Sequence, residues 1–284
     1  MTQTIHHRLH IIEAADWKDG IITLLEPRSP YRPWRYAFAA ARPGDYALVI
    51  LGTDPVSALT VLPRIGDEGF GGAVAALWGY RVDLVDVSTL ARVLDLEDNL
   101  FMTWRLDDED AERVILALHE SRVIGDPYDR LGHSSLVAAR NLLRFSETCH
   151  GCGDEIDLTG DDARDRIHVH TVAPPRRPEP DSPIRSIGDA PVRCAPPWLR
   201  TTATDWPAVV CRRCRDAMRD SGRDNFIEFR FAEHPQCPYC HGRRTQRIQY
   251  GMPAEPWAWG PWLAIGGCCP KDDQWRCTLC DHDW

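Results

Sequence analysis

Eight of the eleven cysteines fall into four Cys-x-x-Cys pairs: Cys149 and Cys152, Cys211 and Cys214, Cys237 and Cys240, Cys277 and Cys280. Two cysteines three positions apart fit on one tight turn. Two such turns can present four thiolates tetrahedrally to Zn²⁺. Chain order suggests two quartets, Cys149/Cys152/Cys211/Cys214 and Cys237/Cys240/Cys277/Cys280. Four sulfurs complete the coordination sphere of zinc, so each site is expected to be structural. Secreted disulfides or redox dithiols are the competing chemistry, but in a reducing compartment this pattern reads as metal. Cys194, Cys268 and Cys269 remain over, and a free cysteine is most often a small hydrophobe.

Two further sets could do chemistry. His168 and His170 lie two apart in the strand-like run Ile167–Val172 and so share one face. That placement suits a site, but it suits mere exposure equally well. Trp17, Trp34, Trp78 and Trp104 offer flat apolar faces that could wall a pocket, although a single tryptophan is more often core.

The elements that must hold these groups can be read in outline. A chain of 284 residues suits two or three domains. No run approaches twenty apolar residues and no signal pattern opens the chain, so a soluble, cytoplasmic protein without membrane attachment is expected. The net charge of −9 argues against indiscriminate binding to a polyanion. Lys18 and Lys271 are the only lysines, an arginine bias that points to genome composition more than to recognition. The first half reads as a strand around Ile5–Ile12, a turn or short helix at Asp16–Gly20, a buried strand Tyr46–Leu51 closed by the Gly52–Pro55 turn, a return over Ser57–Ile65, and a strand Val82–Val87. Helical spacing follows over 107–121 behind an acidic first turn, then over 134–145 with Ser134 or Ser135 as cap. Residues 174–198 are too rich in proline for regular elements.

Three resemblances attach to these residues. Trp34–Arg35, the Pro43–Gly44–Asp45 turn before an apolar strand, and the late acidic helix resemble the EVE domains of the PUA-like superfamily. That resemblance implies a small β-barrel whose aromatic pocket reads modified bases, with Trp34, Trp17 and Trp104 as ligand-binding walls around a flipped nucleotide. Asp45 fits a turn residue better than a ligand contact. The first cysteine quartet, with a histidine-bearing strand and a proline between its pairs, resembles the zinc-bound HNH treble-clef nucleases. This implies His170 as base, His168 or Asp205 as holder of Mg²⁺ or Mn²⁺, and zinc as a staple. The sequence departs from the HNH pattern: His170 to Pro174 is one residue longer than [DE]H[IV]xP, no acid precedes His170, and no histidine follows Cys214 before His234. The stretch 237–284, with Cys237–Pro238–Tyr239–Cys240, Tyr250–Gly251–Met252–Pro253, Gly266–Gly267–Cys268 and Trp275–Arg276–Cys277, resembles a family of uncharacterised bacterial zinc ribbons.

The expected fold is α+β: a PUA-like barrel over 1–145, a Cys₄ treble-clef module with a proline-rich insertion over 146–222, and a Cys₄ ribbon over 223–284. The expected function is zinc-dependent binding of nucleic acid, DNA first and modified bases included. An HNH-type endonuclease is the alternative, and a protein–protein adaptor with purely structural zinc is the third reading.

Overall fold

The computed structural model describes residues 8–26, 34–35, 41–66, 82–96, 105–106, 108–120, 130–173, 205–251 and 260–284. Trp78, Trp104, Cys194, Trp257, Trp259 and the proline-rich stretch 174–198 lie outside the described residues.

The chain mixes helices with sheets, as an α+β fold does. At its N-terminal end β1 (Leu9–Ala14) runs parallel to β3 (Tyr46–Leu51). β4 (Ser57–Leu59) and β5 (Leu84–Asp86) continue antiparallel from β3. The short β2 (Trp34–Arg35) and β6 (Arg105–Leu106) pair with the two ends of β1. The order β2-β1-β3-β4-β5 is open, and among the described residues no strand pair closes it into a barrel.

Helices cover both faces of this sheet, which is why Tyr46–Leu51 is apolar throughout rather than alternating. On one face Val49 and Leu51 meet Ile21, Ile22 and Leu24 of α1 (Trp17–Leu25) and Leu136, Ala139 and Leu142 of α4 (Ser135–Leu143). On the other, Leu48 and Ile50 meet α2 (Val87–Leu94) and α3 (Asp108–Glu120). The helix starts are capped as their sequences dictate. Asp16 accepts from the N–H groups of Lys18 and Asp19, and Ser134 Oγ accepts from Val137 N at 3.3 Å. The Asp16–Gly20 segment is therefore the first turn of a nine-residue helix.

The first of these cores does not end with the sheet. It runs from α1 and α4 through Phe145, Cys149 and Ile156 to the hairpin β7 (Ile167–His170) and β8 (Ala208–Cys211). From there it continues through Cys214 of α6 (Arg212–Asp220), the phenylalanines of α7 (Phe226–Ala232), and Trp262. A short α5 (Ala163–Arg166) adds a polar tie, because Arg164 pairs with Asp16 at 2.6 Å and Asp19 at 3.0 Å at the start of α1. The C-terminal unit is a three-stranded sheet in which β9 (Thr245–Gln249) lies between β10 (Leu263–Ile265), parallel, and β11 (Trp275–Cys277), antiparallel. Trp262 is only 8 % exposed and packs edge-on against Trp206 and Phe226 at 5.9 and 5.3 Å. This tryptophan joins the C-terminal sheet to Trp206 and α7.

Two cysteine quartets and a histidine–aspartate pair

Both sets of four cysteines converge as their spacing suggests. In each quartet the four Sγ atoms lie within 4.8 Å of one another, and these are the only such groups among the described residues. Cys152 and Cys211 are 3.9 Å apart, Cys237 and Cys280 3.7 Å, and Cys240 and Cys277 3.5 Å. A disulfide would need roughly 2 Å. A tetrahedron with Zn–S bonds of about 2.3 Å has edges of about 3.8 Å, so the sulfurs stand where a zinc ion would hold them.

The local backbone explains the convergence. In Cys149–Asp154 the N–H of Cys149 donates to Asp154 O at 2.7 Å, and Gly153 N donates to Cys149 O at 2.8 Å. Cys237–Gly242 repeats both bonds at 2.9 Å through Gly242 and His241. Cys277–His282 repeats them at 2.9 and 3.0 Å through His282 and Asp281. In all three the fourth residue after the first cysteine has positive φ: Gly153 at 80°, His241 at 58°, Asp281 at 53°. Only the first uses glycine, which takes this conformation freely; histidine and aspartate are among the side-chain-bearing residues that enter it most often. Backbone N–H groups also donate to sulfur, from Gly151 and Cys211 to Cys149 Sγ at 3.3 and 3.2 Å and from Leu279 to Cys277 Sγ at 3.4 Å.

The fourth pair is built differently. Cys211 ends β8 and caps α6, and Cys214 sits in the first turn of that helix. The positive end of the helix dipole therefore faces the sulfurs, which favours thiolate. The quartet at 149–214 thus combines one knuckle, a hairpin and a helix start, whereas that at 237–280 combines two knuckles on a sheet. His150 locks the first knuckle to β8: its N–H donates to Val209 O at 2.9 Å and its Nδ1 accepts from Val209 N at 3.0 Å. Burial, with Arg130 and Arg230 adding to it, pushes the His150 imidazole down to about 4, so it stays neutral and able to accept.

Without a cation these thiols crowd one another. Burial pushes the Cys214 thiol up, and the neighbouring Cys149 adds to the effect. The Cys280 thiol gains an N–H donor from His282, yet burial and the thiols of Cys240, Cys277 and Cys237 outweigh it and push it up to about 12. Four such groups ionise together only around a metal. A further charge fits that picture. Arg230 of α7 donates from Nη1 to Gly151 O inside the first knuckle, while its guanidinium lies 5.5 Å over the Trp262 ring. Its buried Nε has no hydrogen-bond partner. Burial pushes this guanidinium down and the adjacent Cys149 and Cys214 sulfurs push it back up. Zinc with four thiolates carries a charge of −2, and Arg230 is placed to offset part of it.

The residues of the HNH-like motif separate. His170 Nε2 lies 2.8 Å from Asp205 Oδ2, with both side chains mostly buried. Asp205 Oδ1 accepts from Trp206 N at 2.7 Å and from Phe226 N at 2.8 Å. Burial raises the Asp205 carboxyl, but the bond to His170 and these two N–H donors hold it below the usual carboxylate range. His168 turns elsewhere: its Nε2 donates to Asp165 O at 3.0 Å and its Nδ1 is 3.2 Å from Arg215 Nη1. Burial, then Arg215, pushes this imidazole down. The structure thus joins His170 to Asp205 and leaves His168 outside the pair. Asp205 also secures the first N–H of α7, a donor without an intrahelical partner. Asp205→Ala is expected to destabilise the fold by about 2–4 kcal/mol, since two backbone donors lose their acceptor. Asp205→Asn keeps one oxygen and is expected to lose less. Urea unfolding of the two variants checks this order.

Of the tryptophans assigned to a ligand pocket, Trp17 opens α1 and packs against the first core. Trp34 is half-buried and packs against both that core and the small cluster of Ile12, Ala47 and Ile65. A Cβ at Gly20 would come within 3.5 Å of its Cη2 atom. Asp45 behaves as a turn residue, its Oδ2 accepting from Arg42 N at 2.9 Å, and it also meets the buried His10 Nε2 at 2.9 Å. No spacing rule links His10 with Asp45, because their meeting depends on β1 and β3 lying side by side.

No family model, no curated protein and no solved structure matches this chain.

Proposed function

We propose that this protein is a zinc-stapled nucleic-acid-binding protein, with one structural Zn²⁺ in each cysteine quartet and DNA, modified bases included, as the ligand class. The convergence of each quartet within 4.8 Å carries the metal half of the reading. The nucleic-acid half is supported by the EVE-like and HNH-like sequence features and by Arg212, Arg223, Arg243 and Arg247, which are exposed. Unlike Arg213, Arg219 and Arg244, these four have no ion-pair partner among the described residues. A guanidinium with no carboxylate beside it is available to phosphate. In this reading the N-terminal unit, an open sheet with helices on both faces, supplies the base pocket, and the zinc half supplies backbone contacts.

A second reading, an HNH-type endonuclease, is favoured by the His170–Asp205 hydrogen bond, which would orient a general base. One experiment addresses both. Zinc-loaded protein is titrated with fluorescent single- and double-stranded DNA, with and without modified cytosine, over a range of salt. The expected result is binding whose log K falls linearly with log salt, and no cleavage with Mg²⁺ or Mn²⁺. Metal-dependent cleavage abolished by His170→Ala would promote the nuclease. Absence of binding to every DNA at low salt would leave the adaptor reading.

A further inference from the structure

Two of the most exposed large apolar side chains among the described residues are Tyr239, 76 % exposed, and Leu279, 68 % exposed. Each stands two residues after the first cysteine of its knuckle in the C-terminal quartet, so the knuckle geometry itself projects them. The two knuckles meet: Leu279 reaches across to the opposite one, where a Cβ at Gly242 would come within 2.7 Å of its Cδ1. Tyr239 continues into a run of rings. Its ring centre is 5.7 Å from that of His282, which stacks on Trp284 at 5.9 Å with 13° between planes. Trp284 is fixed in turn by backbone bonds to Trp275 at 3.0 Å in both directions. An exposed leucine and tyrosine backed by two ordered rings contribute nothing to the ribbon core, which is formed by Ile248, Ala264 and the cysteines.

The charges around this tip select among partners. The knuckle and its extension, Cys237 to Arg244, contain no acidic residue and end in Arg243 and Arg244. Arg244 is taken by Glu228, whereas Arg243 lies against the Gln236 side-chain amide and has no ion-pair partner among the described residues. On the second knuckle Asp283 is neutralised by a two-point pair with Arg276, at 2.8 Å for both bonds. Asp281 is the one exposed carboxylate left there. Planar rings with a free cation beside them match the alternation of bases and phosphates in an unpaired strand. A duplex, whose base faces are covered, cannot use the rings.

We propose that the ribbon tip formed by Tyr239, Leu279 and His282, with Arg243 beside it, is a stacking platform for single-stranded nucleic acid. This rests on the nucleic-acid reading above and assigns the unpaired strand to the ribbon rather than to the N-terminal unit. The test is anisotropy of a labelled oligothymidylate of about 12 nucleotides and of a hairpin duplex, using full-length zinc-loaded protein, with zinc content and sedimentation recorded for each variant. Tyr239→Ala is expected to keep both zinc ions and to weaken single-strand binding roughly tenfold or more, the usual effect of losing one base–aromatic stack. It should leave hairpin binding unchanged. Tyr239→Phe should retain single-strand affinity. Arg243→Gln should reduce the salt slope by about 0.7, one phosphate contact on a single strand. Wild-type-like single-strand binding by Tyr239→Ala would overturn the platform and leave the nucleic-acid reading standing. Failure of the wild-type protein to bind either oligonucleotide would overturn both. Unchanged nucleic-acid binding with loss of a self-associated species in Tyr239→Ala would make the tip a protein contact instead.

Discussion

Cys214→Ser is expected to unfold the centre of the molecule, whereas Cys277→Ser is expected to unfold one end. Both remove one ligand from a quartet of similar geometry, so the difference comes from what surrounds it. Cys149 and Cys214 belong to the core that runs from Ile21 and Leu142 through Ile167 and Val209 to Phe226 and Trp262. Cys237 and Cys277 are fully buried but lie outside that core. Structural zinc contributes roughly 10–16 kcal/mol of folding free energy in small modules, as much as the entire stability of a typical domain, about 5–15 kcal/mol. Losing the first metal should therefore broaden or abolish the main unfolding transition. Losing the second should free the C-terminal strands β9–β11 and leave one zinc per chain. Hydrogen exchange separates the outcomes: Cys277→Ser should raise exchange over 237–284 only, while Cys214→Ser should raise it in α1 and α4 as well. Equal, local responses from both variants would mean that the shared core does not depend on the first site.

Arg230→Met is expected to weaken the first site without touching a ligand. Methionine keeps most of the apolar stem and removes the guanidinium, which serves three partners at once. It bonds Gly151 O in the knuckle, lies over Trp262, and brings positive charge to the Cys149–Cys214 sulfurs. Deleting the guanidinium leaves the charge of the sulfur cluster less well compensated. With zinc bound the sulfur cluster keeps its charge of −2, so the variant should release its first zinc to a chelator much faster while the second is retained at the wild-type rate. The intrinsic fluorescence of Trp262 should shift in parallel, since the same contact ties the C-terminal sheet to α7. Arg230→Lys should recover part of the effect, having the charge but not the planar fork. If zinc release from the first site is unchanged in Arg230→Met, the guanidinium is a packing group and not a counter-charge.

The parts of this structure that the sequence discloses are those set by near neighbours. Each Cys-x-x-Cys pair is a local turn, and Gly153 directly after Cys152 marks one of the three knuckles openly. His241 and Asp281 hold the same positive φ in the other two knuckles, where their residue types permit it but announce it far less openly than glycine does. The run Tyr46–Leu51 became a strand with those bounds, and Ser134 caps α4 as its position suggested. Val82–Val87 reads as one strand, although it alternates only weakly, with Asp83 and Asp86 among its apolar residues. In the fold it divides at Asp86, whose carboxylate caps α2 and starts a helix at Val87. The parallel pairing of β1 with β3 is non-local, so neither it nor the buried His10–Asp45 contact could be read from spacing. The same limit hid the separation of His168 from His170. Period two places both on one face of β7, but Arg215 and Asp165 on one side and Asp205 on the other draw the rings to different partners. Arg230 was the least legible, an arginine in the apolar helix Phe226–Ala232 whose purpose appears only when the knuckle and Trp262 are folded against it.

Zinc K-edge absorption combined with elemental analysis of protein purified under reducing conditions tests most directly whether the two cysteine quartets are sulfur-only zinc centres. The expected result is two zinc ions per chain with an average shell of four sulfurs at about 2.3 Å and no nitrogen or oxygen shell at about 2.0 Å. Fewer than two zinc ions per chain, or a shell with a histidine nitrogen in place of a sulfur, would contradict it.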